Sequence, residues 1–184
     1  MQETTLYGVT NQINEPIGVI GIVCPDDFPL LGLVSLMMPA VVRGNAVVVV
    51  PSERHPLCAT DLYQVLETSD LPPGVINIVT GQRDLLSRTL VDHQDVHAMW
   101  YSLTASLING KARAPHVNCQ YHRPRYFGPA EGAFHVEYLS AKNMKRTFVS
   151  YSKPRDWFDV EQGEGHEFLL EACQCKNVWI PMGA

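Results

Sequence analysis

The chain has 184 residues, which is enough for one domain with a real core and too few for two comfortable ones. Its 46% hydrophobic and 18% charged residues are typical of a globular protein and exclude a disordered one. The net charge of −5 gives no electrostatic reason to expect a nucleic acid or an anionic membrane surface as a partner.

The first regular segment is a short apolar run followed by a longer one. Residues 18–24 (GVIGIVC) are rich in Val and Ile and predict a strand covered on both faces. Residues 30–43 are too long for a strand and predict a helix that ends at the Gly44-Asn45 pair. Because this segment is shorter than a membrane span and contains Pro39, we expect a buried core helix and no membrane association.

The same alternation continues to residue 101, with strands predicted at 46–50, 75–81 and 96–101 and helices at 56–68 and 83–90. In the helix at 56–68, Leu62, Val65 and Leu66 are expected to face inward. Repeated strand–helix–strand units with Val-rich and Ile-rich strands predict a doubly wound, mostly parallel α/β sheet with right-handed crossovers.

Regular patterning stops in residues 102–125, where small, basic and proline residues follow neither a helical nor a strand period. A structureless segment of this length is unusual inside a compact domain. Beyond it, the sequence predicts a helix at 130–141, a strand at 146–151, a loop at 152–167, a short helix at 168–173 and a strand at 177–182.

The five cysteines are odd in number and form no CxxC pair, which suits reduced thiols in the cytosol better than disulfides or a zinc site. The first residues show neither a basic region nor an apolar region of a secretory signal. We therefore expect a cytoplasmic protein without a metal site.

Several short motifs occur in a specific order: Pro25-x-x-Phe28-Pro29, then Gly44-Asn45, then Pro51-Ser52-Glu53, then PGVIN at 73–77. This ordered set resembles the aldehyde dehydrogenase superfamily. HQDVHAMWY at 93–101 and NVWIPMG at 177–183 resemble more narrowly the second, degenerate unit of the sixteenth aldehyde dehydrogenase family. The resemblance implies that residues 1–184 form a partial unit, the Rossmann-like cofactor-binding portion of an aldehyde dehydrogenase fold.

The resemblance also addresses the irregular segment. In such proteins the strand ending at Tyr101 would continue directly into Phe127 and Gly128, so residues 102–125 look inserted. Our hypothesis is a retained intron or a misjoined gene model. The alternative is a surface loop particular to this lineage.

For the cofactor, the resemblance implies NAD bound at the ends of the strands. Pro51, Ser52 and Glu53 match the family's Lys-Pro-Ser-Glu motif, and Glu53 would accept the ribose hydroxyls and favour NAD over NADP. Val50 replaces the lysine, and losing a charged hydrogen bond costs about 1.5–3 kcal/mol. Without the resemblance, Glu53 is most simply a solvated residue.

The glycines that would approach the cofactor are reduced in number. Gly81 remains from the loop after the third strand, and Arg83 could meet a phosphate or belong to a capped surface helix. Gly128 matches the middle of the family's Thr-Gly-Ser turn, but Pro129 follows it and lacks the N–H that would serve the pyrophosphate. NAD binding is therefore expected to be weak or lost.

The catalytic positions implied by the resemblance are degenerate. Asp26 and Asp27 replace the tryptophan and the oxyanion-binding asparagine, and ionised Asp27 accepts hydrogen bonds only. From the residues alone, one or both aspartates are expected to cap the following helix. Ser150 stands at the position of the general-base glutamate, and Cys173 and Cys175 are interpreted as buried small hydrophobes, not nucleophiles.

Three functions remain open on these grounds. The first is a non-catalytic aldehyde dehydrogenase-like unit with a structural or assembly role. The second is a fragment of an active NAD-dependent aldehyde dehydrogenase, and the third is an NAD-binding module without turnover. A partial sheet would expose an apolar edge, so we also expect a homo- or hetero-oligomer formed through that edge.

Overall fold

A computed structural model describes residues 8–102, 132–149, 155–164 and 166–181 of the chain. The strands are β1 Gly8–Pro16, β2 Val19–Val23, β3 Ala46–Val50, β4 Ile76–Ile78, β5 Ala98–Tyr101, β6 Arg146–Val149 and β7 Cys173–Pro181. The helices are α1 Leu31–Val42, α2 Leu57–Glu67, α3 Arg83–Asp92, α4 Gly132–Ser140, α5 Val160–Gly163 and α6 His166–Glu171, with a 3₁₀ turn at Ala141–Asn143.

The main sheet has five parallel strands in the order β4-β3-β2-β5-β6. The chain moves outward from β2 to β4, returns to the other side of β2 with β5, and continues to β6. The order in which strands are added to the sheet therefore reverses between β2 and β5, and the carboxyl ends of these two parallel strands are neighbours. This is the doubly wound parallel α/β sheet that the sequence predicts, and that prediction is confirmed.

Both faces of the sheet are covered, which explains why its strands are continuous apolar runs. One face presents Ile22 and Val49, which join a core with the α1 residues Leu33 and Leu36. The opposite face forms a second cluster in which α3 and α4 pack over the sheet, with these buried members: Val23, Val50, Val91, Met99, Tyr101 and Val136.

Helix α2 covers the sheet through a narrower stripe than the sequence predicts. Ala59 is buried, and Leu62 and Leu66 are partly buried against the core, as expected for positions spaced three and four residues apart. Val65 is 62% exposed, so its expected inward orientation is wrong. The reason is geometric, since the residue before Leu66 is rotated about 100° away from the stripe on an α-helix.

A second, two-stranded sheet pairs β1 with β7 in antiparallel register from Gly8↔Pro181 to Pro16↔Cys173. We call it the ribbon. The sequence predicts part of β7 but not β1, whose residues GVTNQINEP are mostly polar and exposed. The loop expected at 152–167 is also wrong in part, because α5 and the start of α6 fall within it.

Two of the later elements follow the expectations: α4 lies within the helix predicted at 130–141, and β6 lies within the strand predicted at 146–151. Residues 103–131 are outside the described part, and with them all but the first residue of the predicted insertion at 102–125. Among the described helices, none combines the length and the apolar character needed to cross a bilayer.

Candidate functional site

The loops after β2, β3 and β4 and the residue after β5 meet at the carboxyl edge of the sheet. In open doubly wound sheets, ligands bind at this edge, in the crevice where the strand order reverses. The residues that follow β2 and β5 therefore border the candidate site.

Arg83 occupies that point of reversal. It begins α3, yet only 4% of the residue is exposed. Its Nη1 donates a hydrogen bond to the Cys24 carbonyl oxygen at 2.5 Å, and its Nη2 donates to the Ser102 carbonyl oxygen. The guanidinium carbon also lies 5.1 Å from the centre of the Tyr101 ring, a cation–π arrangement. The capped surface helix considered for Arg83 is therefore wrong, because the side chain turns inward and bridges two strand ends.

Asp26 connects the loop after β2 to the loop after β3. Its Oδ1 accepts hydrogen bonds from the Ser52 hydroxyl at 2.7 Å and from the Glu53 N–H at 2.9 Å. The Ser52 Oγ in turn accepts the His55 N–H at 3.2 Å. The N-cap residue of α1 is Leu30, which makes no side-chain cap hydrogen bond. The sequence predicts that Asp26 caps the following helix. Its described hydrogen bonds instead link the loop after β2 to the loop after β3.

Glu53 lies beside the start of α3. Its Oε2 accepts the backbone N–H of Arg83 at 3.4 Å, a long contact. A carboxylate is favoured at a helix N-terminus because the helix dipole is positive there. The residue is otherwise exposed, so it could accept hydroxyl groups of a bound ribose.

The remaining positions predicted for the cofactor are distributed around the same edge. Pro51 is buried, and Gly81 lies in the exposed loop that leads into α3. A Cβ at Gly81 would approach the Leu86 Cδ1 to 3.2 Å, so the loop packs closely on the helix. Gly128 lies outside the described residues.

The catalytic positions give no described nucleophile–base pair. Asp27 is exposed in the middle of the loop between β2 and α1, and Ser150 lies outside the described residues. Burial raises the pKa of the Cys24 thiol to about 12, which makes it a poor nucleophile. Cys173 is buried as expected, whereas Cys175 is exposed on β7, which corrects that prediction.

The sequence gives no sign of the role of Arg83, since an arginine at a helix start is usually solvated. No group of three or more metal-ligating side chains occurs within the described ranges.

A dinucleotide fits only part of this edge. Glu53 could hold the ribose, but Ser52 is already bonded to Asp26, and Val50 is buried in the core where the family motif has a lysine. The N–H at the start of α3 contacts a carboxylate, and Arg83 spans the crevice. Among the described donors at this edge, the Ser52 hydroxyl, the N–H of Arg83 and both Nη atoms of Arg83 are therefore already hydrogen-bonded, and the Arg83 Nε is buried.

Comparisons with known proteins agree with this architecture. The family model described as "Aldehyde dehydrogenase family" matches residues 3–114. An aldehyde dehydrogenase of Agaricus bisporus is 35% identical over 109 residues, which make up 59% of this chain and 21% of that protein. A 2-aminomuconic semialdehyde dehydrogenase of Danio rerio is 40% identical over 104 residues, or 55% of this chain and 21% of that protein.

Among solved structures, a mutant of aldehyde dehydrogenase C from Pseudomonas syringae in complex with NAD+ and octanal superposes with a TM-score of 0.60. The two sequences are 25% identical, and the match covers 82% of this chain and 26% of that one. The chain thus spans about a fifth to a quarter of the length of these relatives, 21% of the two sequences and 26% of the solved chain. On the family match and the doubly wound sheet, the chain belongs to the aldehyde dehydrogenase family.

Proposed function

We propose that this chain is an aldehyde dehydrogenase-like unit that does not itself oxidise aldehydes and that has a structural or assembly role. The observation that carries the proposal is the loop after β2, where Asp27 presents an exposed carboxylate and Asp26 is bonded to the neighbouring loop. By resemblance, Asp27 stands where the enzymes of the family have an amide that donates to the oxyanion.

The chemical consequence follows from charge. An amide stabilises the negative charge that forms when a thiolate attacks an aldehyde, whereas a carboxylate repels it. Removing one oxyanion donor costs about 10²–10³ in rate, and an anion at that position should cost more. Ser150, proposed at the position of the general base, could not take a proton from water near neutral pH.

The ribbon supports the assembly part of the proposal. Val9, Ile13 and Ile180 are half exposed on it, and Trp179 is 58% exposed. Within the described residues the ribbon pairs with no third strand, so its outer edges remain available. An isolated two-stranded ribbon is marginally stable in water, and strand addition from another chain would satisfy its free backbone groups. The sequence predicts a homo- or hetero-oligomer through an exposed sheet edge, and we propose that an edge of the ribbon is where it forms.

An activity assay tests the catalytic half. We expect the purified chain to form no NADH from NAD and octanal above the rate without protein, and Asp27→Asn to stay equally inactive because one amide supplies neither nucleophile nor base. Aldehyde-dependent NADH formation by the chain would refute the proposal and favour a fragment of an active enzyme.

Sedimentation tests the assembly half. Ile13→Lys should shift the chain toward monomer because a charge on the ribbon opposes burial of that face. Val65→Lys on α2 is the matched control, since it places the same charge at an exposed apolar position away from the ribbon. Equal behaviour of both variants and the unchanged chain would contradict a role for the ribbon.

A second candidate is an NAD-binding module without turnover, which the exposed carboxylate of Glu53 favours. Saturable NAD binding that disappears in Glu53→Ala, without NADH formation, would support it.

We also propose a finer family placement: a relationship to the degenerate unit of the sixteenth aldehyde dehydrogenase family, supported by the motifs HQDVHAMWY and NVWIPMG.

We further propose a cytoplasmic location, on the basis of the cysteine pattern. The described cysteines, Cys24, Cys58, Cys173 and Cys175, are free thiols. A fluorescent fusion expressed in the source cells would test the location.

We propose, finally, that residues 102–125 are inserted into the partial unit formed by residues 1–184. The lost periodicity supports this, while the family match ends inside the segment, at residue 114. Transcript sequencing decides the matter: a continuous spliced message encoding the whole segment would contradict the gene-model explanation and leave a lineage-specific loop.

A further inference from the structure

We propose that Arg83 is an internal clamp that closes the crevice between β2 and β5 in place of a dinucleotide, so that the edge of this sheet holds itself together without a cofactor. This goes beyond the proposed function, because a unit can lack catalysis and still bind NAD.

The first support is the position of the guanidinium. Cys24 directly follows β2, and Ser102 directly follows β5. The order in which strands are added to the sheet reverses between these two parallel strands. Arg83 donates to the carbonyl oxygens of Cys24 and Ser102. In doubly wound folds a bound dinucleotide crosses the sheet edge at this reversal, so guanidinium and dinucleotide would compete for one place.

The second support is the surrounding apolar contact. Tyr101 is buried and lies under the guanidinium, and the side chain of Arg83 is almost wholly removed from water. Arginine keeps its charge even when buried, and its planar fork can donate to two acceptors at once. Moving it out would leave two backbone carbonyls without their donors, so a ligand that needs this space must first replace those bonds.

The third support concerns the helix N-terminus beside the crevice. An anion such as a pyrophosphate is held at a helix start by free backbone N–H groups and by the positive end of the dipole. At α3 the first N–H, that of Arg83, already faces the carboxylate of Glu53 at 3.4 Å. The negative charge of Glu53 would also repel a phosphate at this point.

The Nε atom of Arg83 is the part of the clamp through which an anion could still bind. The Nε of Arg83 is buried and has no hydrogen-bond partner among the described residues. A small anion that reached this atom would make Arg83 an anchor and not a closure. The experiment must therefore separate a clamp from an anion-binding arginine.

Thermal unfolding of the whole chain with ADP-ribose, NAD or inorganic pyrophosphate as the probe makes this separation. A ligand present at about a hundred times its Kd would raise the Tm of a protein of this size by about 5–10 °C. We expect less than about 1 °C with each probe at millimolar concentration. A saturable rise that is lost in Arg83→Met would overturn the proposal and identify Arg83 as an anchor.

The variant itself provides the second measurement. Arg83→Met should lower the Tm by about 5 °C or more, because two buried carbonyls lose their donors. Arg88→Met is the matched control: it lies on the same helix, is partly exposed and forms an i,i+4 ion pair with Asp92, so its Tm should stay within about 1 °C. Equal Tm values for the two variants would also overturn the clamp.

If Arg83→Met does not fold, the unchanged chain still decides the question. Phenylglyoxal should modify Arg88 at least about tenfold faster than Arg83, measured peptide by peptide by mass spectrometry, since a buried group reacts only after local opening. Comparable rates would show that the crevice is open. Because none of these readouts involves turnover, NAD binding without NADH formation would refute the clamp while leaving the proposed non-catalytic role intact.

Discussion

Replacing Asn45 by alanine tests how the described parts of the fold are joined. Asn45 is 1% exposed and makes three hydrogen bonds with its side chain. Its Oδ1 accepts the Gly18 N–H at 2.9 Å, and its Nδ2 donates to the carbonyl oxygens of Ala40 at 2.9 Å and of Ala172 at 2.8 Å. This one amide thus connects the start of β2, the end of α1 and the residue between α6 and β7.

The expected loss can be worked out bond by bond. The Ala40 carbonyl also accepts the backbone N–H of Asn45 at 3.2 Å, so it keeps a partner in the variant. The buried Ala172 carbonyl and the partly buried Gly18 N–H lose the partner described for them, and an unsatisfied buried group costs about 1–3 kcal/mol. We expect Asn45→Ala to lower the free energy of unfolding by about 3 kcal/mol, a large part of the 5–15 kcal/mol typical of a domain.

Urea unfolding followed by tryptophan fluorescence measures this loss. With a slope of about 2 kcal/mol per molar urea, the midpoint should fall by about 1.5 M. Asn77→Ala is the control, because the Nδ2 of Asn77 also donates to two carbonyl oxygens, those of Gly74 and Val47. Asn77 is exposed, so water can replace its amide, and we expect this variant to lose under about 1 kcal/mol of unfolding free energy. Asn45→Asp keeps the size and removes the donors, so it should be at least as damaging as alanine. If Asn45→Ala costs no more than Asn77→Ala, the reasoning is refuted.

Three further predictions concern buried groups of the described structure. Because burial raises the pKa of Cys24 to about 12, the native protein should be labelled by a thiol reagent at exposed Cys175 and not at Cys24; equal labelling, seen by mass spectrometry, would contradict the burial. Desolvation lowers the pKa of Lys145 from 10.5, so the unfolded chain binds that proton more tightly and the free energy of unfolding should rise with pH between the lowered value and 10.5. Urea unfolding at about pH 8 and about pH 10 should show a smaller rise for Lys145→Met, and an unchanged rise would count against this account. Trp100→Ala should cost about 3–5 kcal/mol because the ring is fully buried, whereas Trp179→Ala on the ribbon should cost far less; similar unfolding midpoints for the two would contradict the assignment of the core.

The main sheet could be predicted because the apolar sequences of its strands fit few structures other than a buried strand. Ala46–Val50 is predicted at its observed bounds, since a run of valines between turn residues fits a strand that is buried on both faces. The repeated strand–helix unit and the right-handed crossover rule then predict a doubly wound parallel sheet, whereas the order of its strands comes from the structure. Local pattern and global fold agree here, as they do in most natural domains.

Other features depend on contacts between distant residues and leave no local signal. β1 is polar and exposed, and it becomes a strand because β7 pairs with it. Arg83 begins an ordinary helix, and only the meeting of two strand ends explains its burial. Asp26 accepts its described hydrogen bonds from a loop 26 and 27 residues away in sequence. In each case the deciding partner lies outside any window that a sequence pattern can cover.

The pairing of β1 with β7 also has a consequence for the order of folding. Their partners, such as Gly8 and Pro181, lie at opposite ends of the described chain, so this contact has close to the largest loop-closure entropy that the fold can demand. We expect contacts between residues this far apart in sequence to form late, after the local β–α units have assembled. On a ribosome β1 emerges long before β7 and must wait for its partner, which makes this early strand the segment most open to chaperones and to pairing with a neighbouring nascent chain.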